Sequence, residues 1–274
     1  SISCAGISMT HAPSEAQEQY LHSLQRRKYW ILAAQVLLLL AILAAWEISV
    51  EKGYLNGFIF SSPRRVVLCF YTMLKDQSLF FHIGITLAET IASFLLVMIL
   101  TLGASILLWW CRPAADILEP YLVVLNSLPK SALAPILIVW LGNNMKTIII
   151  TAISIAVFGS ILNLYHGFMK VDPERLILIR TLGGSRADCL RLVVIPSCVP
   201  LFISLMKVSI GLSLVGVIIG EFLAARAGLG YLIIYGSQVF KMDWVMMSII
   251  LLCLIAMLLY RLLHAAEKYA VKHM

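Results

Sequence analysis

Along this 274-residue chain the apolar positions come in unbroken runs, neither alternating as in a half-buried strand nor striped along one side as in a surface helix. A bilayer core about 30 Å thick takes roughly 20 apolar residues of helix. Six runs are of about that length: Tyr29 to Ile48, Ile83 to Trp110, Leu122 to Leu141, Thr147 to Tyr165, Val199 to Ile219 and Trp244 to Leu263. None alternates apolar with polar over about ten residues, as a barrel strand would. The pattern predicts an all-α polytopic membrane protein with six transmembrane helices. Residues 29–265 form its membrane domain, between an N-terminal segment, 1–28, and a tail, 266–274.

Polar interruptions carry the remaining information. "RRKYW" at Arg26 to Trp30 sets cations and aromatics at the first membrane entry. "SSPRRVV", with Ser61, Ser62 and Pro63 as a helix start, predicts an amphipathic helix on the outer surface. "WWCRPAAD" reads as a short inner turn. Pro129 and Pro135 inside the third run predict a kinked or broken helix, and a broken membrane helix is tolerated where it is buried in protein or lines a water-filled cavity. After the fifth run, "GEFLAARAGLGYLIIYGSQVFKMD" is too interrupted to cross and is expected to dip in from outside or pack against the membrane.

One interruption is different in kind. "DPERLILIRTLGGSRADCLRLVVIP", Asp172 to Pro196, holds four arginines, three acids and a Gly-Gly. Asp172 is an N-cap, Pro173 sits where its missing N–H costs nothing, and Glu174 favours the positive end of the helix dipole. The helix so begun ends near Leu182 at Gly183 and Gly184. Ser185 caps a second helix from Arg186, which Pro196 stops or kinks. A basic loop on lipid headgroups is one reading of this element. A docking element inserted into a groove on a partner is the other, favoured by the defined elbow and the mixed charge.

Composition and charge then narrow the class. At 61% hydrophobic and 13% charged the chain is not an ordinary soluble globule, which carries about one quarter charged residues. With the N-terminus inside, twelve Lys and Arg fall on the inner side and seven outside, while Lys130 and Lys207 lie within spans. The bias predicts both termini, and the Asp172 to Pro196 element, in the cytoplasm. The net charge of +7 therefore serves topology, and no polar domain exists to present a basic face to nucleic acid. Six scattered cysteines without C-x-x-C spacing read as small apolar fillers, with neither disulfide nor metal expected. The first 25 or so residues lack the apolar core of a signal peptide.

The elbow resembles the cytoplasmic signature of bacterial ABC-importer permeases: E-A-A, three residues, Gly, nine residues, I-x-L-P. Here Gly183 and Pro196 stand at that spacing, with Val193 and Ile195 at the Ile and Leu positions, while Ile177, Leu178 and Ile179 replace E-A-A. "LPKSALAPILIVWLG" and "VGVIIGEFLAARAGLGYLI" are similar to the nitrate, sulfonate, taurine and bicarbonate class of these permeases. The resemblance implies a type I importer permease that homodimerises, binds two cytoplasmic ATPases and receives solute from an extracytoplasmic binding protein. It implies an ATPase-coupling site at Arg175, Arg180, Thr181, Leu182, Gly183, Gly184, Ser185, Arg186 and Asp188, and favours a small anion such as a sulfonate or nitrate as solute. The chain has no G-x-x-x-x-G-K-[ST] loop, so ATP and Mg belong to the partner and no cofactor is expected here. It also lacks G-x-S-x-G and H-E-x-x-H, leaving no basis for a catalytic site.

Charges within spans cost roughly 3 kcal/mol on insertion scales and usually face a cavity or a partner. Lys130, between the two prolines of the third run and near Asn126 and Ser127, is with them a candidate to attract an anionic solute. Glu89, Lys207 and Glu221 complete the candidate pathway set, against the reading that Lys130 or Lys207 pairs with Glu89 merely to fix packing, or that Lys207 snorkels to the cytoplasmic interface. Ser213, Gly216 and Gly220 form a small-residue face suited to close helix contact, within the chain or across a dimer. A self-contained transporter driven by an ion gradient through Glu89 and Lys130 is the alternative reading.

Overall fold

A computed structural model describes residues 15–272, and every element in it is helical. In chain order these are α1 (Glu15–Glu51), α2 (Gly57–Phe60), α3 (Pro63–Lys75), α4 (Ser78–Trp110), α5 (Arg112–Ser127), a 3-10 turn (Lys130–Ala132), α6 (Leu133–Leu141), α7 (Met145–Met169), α8 (Pro173–Thr181), α9 (Arg186–Cys189), a π-helical turn (Leu190–Val194), α10 (Ile195–Ala224), α11 (Leu229–Gln238) and α12 (Met242–Lys272). Half of the expected N-terminal segment, residues 1–14 with Cys4, and the last two residues of the tail lie outside the described residues.

The chain divides into two units, residues 1–64 and 65–274. In the first, α1 begins well before Tyr29, so the apolar run is the later part of a 37-residue helix. It contains a membrane-length stretch, Ala33–Glu51, none of which is buried inside the protein. At its end Glu47 accepts a hydrogen bond from the backbone N–H of Arg64 at 3.1 Å, and Asn56 caps α2.

In the second unit four helices are long and apolar enough to cross a membrane: Ser78–Trp110, Met145–Met169, Arg186–Ala224 and Met242–Lys268. The central three, α4, α7 and α10, pack on one another and are threaded with small hydroxyls. Ser160 and Ser209 bond across α7 and α10 at 3.0 Å, and Ser105 donates to the Ile161 carbonyl at 3.3 Å. Such residues let helices approach closely where lipid supplies no hydrophobic drive. At Gly216 a Cβ would meet the Ala152 Cα at 2.5 Å, and at Gly220 the Ile148 Cα at 3.0 Å. Both glycines thus serve the α10–α7 contact inside the chain. Ser213, on the same stretch, is buried with no hydrogen-bond partner among the described residues.

Two expectations need correction. The turn in "WWCRPAAD" is shorter than expected, because Cys111 alone separates the helices and Arg112 already begins α5, with Pro113 in its first turn. The third span is broken as its prolines predict, into Arg112–Ser127 and Lys130–Leu141, bent 82° apart at the Leu128-Pro129 step. A residue before proline is driven to extended backbone, and Leu128 lies at φ −63°, ψ 146°. Pro196, by contrast, does not stop its helix. The π turn before it lets the Ile195 N–H reach Leu190, so the element absorbs the proline's missing donor and runs on as α10.

Candidate functional site

The elbow between Asp172 and Pro196 is built by local rules. Asp172 accepts from the Glu174 N–H at 3.0 Å and lies 3.9 Å from Arg175, starting α8. At the other end Gly184 N donates to Ile179 O (2.9 Å) and Gly183 N to Arg180 O (3.0 Å), the paired bonds of a Schellman motif. Gly183 has φ 85°, open to glycine and strained for other residues. At Gly184 a Cβ would sit 2.8 Å from the Ile179 carbonyl oxygen. Both glycines are therefore demanded, for different reasons.

Ser185 and Asp188 then form a complete capping box, with Asp188 N to Ser185 Oγ at 3.2 Å and Ser185 N to Asp188 Oδ2 at 2.8 Å. Buried Cys189, whose thiol points at the Leu176 carbonyl, seats α9 on a core of Trp109, Leu164 and Phe168. What this scaffold leaves outside is apolar: Ile177 is 60% exposed, Leu178 59% and Leu182 76%. Two of these stand at the E-A-A positions. Thr181 spends its hydroxyl on the Ile177 carbonyl at 3.0 Å.

Within the membrane the candidate residues fall into three places. Lys130 stands at the break of the third span, its ammonium donating to Asn126 Oδ1 (3.0 Å) and to the Ile155 carbonyl on α7 (2.8 Å). Asn126 packs over Gly159, where a Cβ would meet its Oδ1 at 3.0 Å, and exposed Ser127 bonds back to Val123. Lys207 pairs with Glu267 of α12, a residue not signalled by any run or motif. Neither lysine reaches Glu89, so the expected ion pair is not formed.

Glu89 instead lies against Glu221. Both are almost wholly buried, and their carboxyls share a hydrogen bond. Glu221 also accepts from the Thr86 hydroxyl (2.6 Å), the Gly230 N–H (2.5 Å) and the Tyr231 N–H. Thr86 in turn accepts from Leu229 N at 2.8 Å, and His82 Nδ1 accepts from Gly228 N at 3.0 Å. Four successive N–H groups of the Gly228 to Tyr231 segment are thereby satisfied by side chains of α4 and α10. This ties the start of α11 to both spans. Gly228 (φ 119°) and Gly230 leave the room that the Glu221 carboxyl fills. Two carboxyls hydrogen-bond to one another only when one is the acid. Glu221 already accepts from three donors, which leaves Glu89 the better placed of the two to donate. The free Oε2 of Glu89 has no partner among the described residues, and Glu89 lines an outer cavity of about 510 Å³ with Asn144 and Arg226. Thr86 and Thr90 are the neighbours of Glu89 in sequence, but only the glycines at 228 and 230 signal the partner loop.

Helices of membrane length, one of them broken, and a capped elbow describe a polytopic membrane protein. Residues 99–269 match the family described as binding-protein-dependent transport system inner membrane component, and the chain belongs to that family. It is a multi-pass ABC importer permease of the inner membrane, working with an ATPase and a binding protein. A probable ABC transporter permease protein of Haemophilus influenzae is 28% identical over 80% of this chain and 89% of its own. The formylaminopyrimidine transport permease protein ThiX of Halalkalibacterium halodurans is 28% identical over 71% and 77%. The putative aliphatic sulfonates transport permease protein SsuC of Bacillus subtilis is 25% identical over 86% of each. In structure, a chain of the inward-facing MetNI methionine ABC transporter superposes with a TM-score of 0.59 at 16% identity, covering 70% of this chain and 97% of that one. The gradient-driven alternative falls with the family assignment.

Proposed function

We propose that the permease works as a homodimer on two ATPase subunits, that the α8–Gly183–α9 elbow is the contact through which each ATPase drives it, and that the solute is a small anion. The observation that carries the coupling reading is the apolar crown at Ile177, Leu178 and Leu182, exposed on a doubly capped scaffold outside the membrane-length helices. Apolar surface held out by a rigid elbow is the mark of a docking element. Arg175 adds a charged rim, and the missing Glu of the family signature is replaced by hydrophobic contact. ATP and Mg then belong to the partner, consistent with the lack of a phosphate-binding loop. The anion reading rests on Lys130, a cation at a break in the membrane-spanning backbone, and on the sulfonate relative.

The test is reconstitution with the ATPase. Leu182→Asp is expected to abolish ATPase co-purification and solute-stimulated hydrolysis while the permease keeps its elution volume. A cysteine placed at Leu182 is expected to crosslink to the ATPase, with two permeases and two ATPases per particle. Crosslinks confined to the termini, with Leu182→Asp fully coupled, would overturn the reading.

A further inference from the structure

Between the inner ends of α4 and α7 and the underside of the elbow lies a cavity of about 290 Å³, lined by Trp109, Arg112, Met169, Leu176, Arg180 and Arg186. Three guanidinium groups thus face one space. Arg186 is held there: it donates to the Trp109 carbonyl at 3.0 Å, and its guanidinium lies 5.4 Å from the Trp109 ring centre and 5.7 Å from that of Trp110. Arg112 opens α5 and Arg180 stands in the last turn of α8, and both line the same cavity.

Among the described residues none of the three makes an ion pair within 4.0 Å, although acids are close in sequence. Most of these acids are engaged elsewhere: Asp188 with Ser185, Glu119 with His166 at 2.9 Å, and Asp172 with Arg175 and the α8 N-terminus. Asp116, one turn beyond Arg112, and Glu174 are exposed and make no ion pair either. Three like charges converging on one concavity repel unless an anion joins them. Arginine forks match tetrahedral oxyanions in bidentate fashion, which a point charge cannot do.

Depth selects the ligand. Trp109 and Trp110 end a membrane span, where tryptophans sit at headgroup level, and Arg112 follows at once. We propose that Arg112, Arg180 and Arg186 form a binding site for a phosphate group, supplied by the headgroup of an anionic phospholipid of the inner leaflet. The site would staple the elbow to the membrane surface, and the apolar crown at Ile177, Leu178 and Leu182 is no part of its lining. It needs only the membrane placement of the chain and does not rest on the ATPase contact.

The experiment uses the full-length permease, released from membranes and examined by native mass spectrometry with added phosphatidylglycerol, phosphatidylcholine or inorganic phosphate. Wild type is expected to retain phosphatidylglycerol over phosphatidylcholine, and Arg112→Gln to weaken that retention roughly tenfold, the worth of about one charge-assisted hydrogen bond. Arg191→Gln, exposed and outside the cavity, should change nothing. Arg112→Lys, which keeps charge and loses the fork, should fall between, and it replaces Arg112→Gln should the latter fail to fold by gel filtration. Saturable retention of inorganic phosphate that Arg112→Gln abolishes, without a preference between the lipids, would keep the oxyanion site and assign its source to free phosphate. Retention of both ligands unchanged in Arg112→Gln and Arg112→Lys overturns the proposal. So does a variant that loses only ATPase co-purification, which would give the arginines to an acidic partner surface.

Discussion

The Glu89–Glu221 pair shows how one side chain can be replaced by its amide at one position and not at its neighbour. With Glu89 as the donor, Glu89→Gln keeps an N–H where the acid had O–H, and its thermal midpoint in detergent should stay within a few degrees of wild type. Glu221 accepts from Thr86, Gly230 and Tyr231, so Glu221→Gln turns an NH2 toward N–H or O–H donors. A buried donor left without an acceptor costs about 1–3 kcal/mol. Glu221→Gln should therefore melt well below Glu89→Gln in the same differential scanning measurement. Equal midpoints would mean that the donor assignment is wrong. Outside the spans, Cys69 on α3 makes a second case. Burial, then the nearby Asp243 carboxylate, pushes its thiol from 9.0 up to about 11. Raising an acid's pKa favours its neutral form. At pH 8 the reactive thiolate should be roughly a hundredfold scarcer than for an ordinary thiol. Maleimide labelling of Cys69 should accordingly be slow at pH 8 and speed up through pH 10, whereas a rate already maximal at pH 8 would contradict the burial.

At the scale of elements, the Asp172 to Pro196 stretch was legible because its signals are local: an N-cap, a proline at the first turn, two glycines and a Ser-x-x-Asp. Each acts within four residues of itself, so pattern alone located the elbow. The capping box supports α9, which has only four residues and cannot persist on its own helical propensity. Ser185→Ala should cost roughly 1 kcal/mol of local stability, seen as faster backbone amide exchange over Arg186 to Leu190 without loss at α8. Uniform exchange across both helices would instead mean that packing of Cys189 carries the elbow. That Pro196 would not stop its helix was hidden for the complementary reason. A proline breaks a regular α-helix, but whether a π turn upstream absorbs it depends on how Leu190 and Val194 are buried against α4 and α7.

For the molecule as a whole, a lysine at a bent span is costly unless its charge is used. Lys130 is held by Asn126 and a carbonyl of α7, which leaves it fixed at the break rather than snorkelled to an interface. Lys130→Met should lower uptake of an anionic solute at least tenfold in proteoliposomes while ATPase docking is retained, with Lys130→Arg partly restoring it. Uptake unchanged in Lys130→Met would reassign the residue to packing. The apolar spans and the elbow followed from runs of apolar residues and from short-range caps, because membrane length and helix termini are properties of contiguous sequence. The partners of the buried charges did not follow. Glu89 with Glu221, and Lys207 with Glu267, join residues 132 and 60 positions apart, and a charge in a membrane helix declares only that it needs a partner. Which partner it finds is set by how the helices pack, and only the tertiary structure decided that.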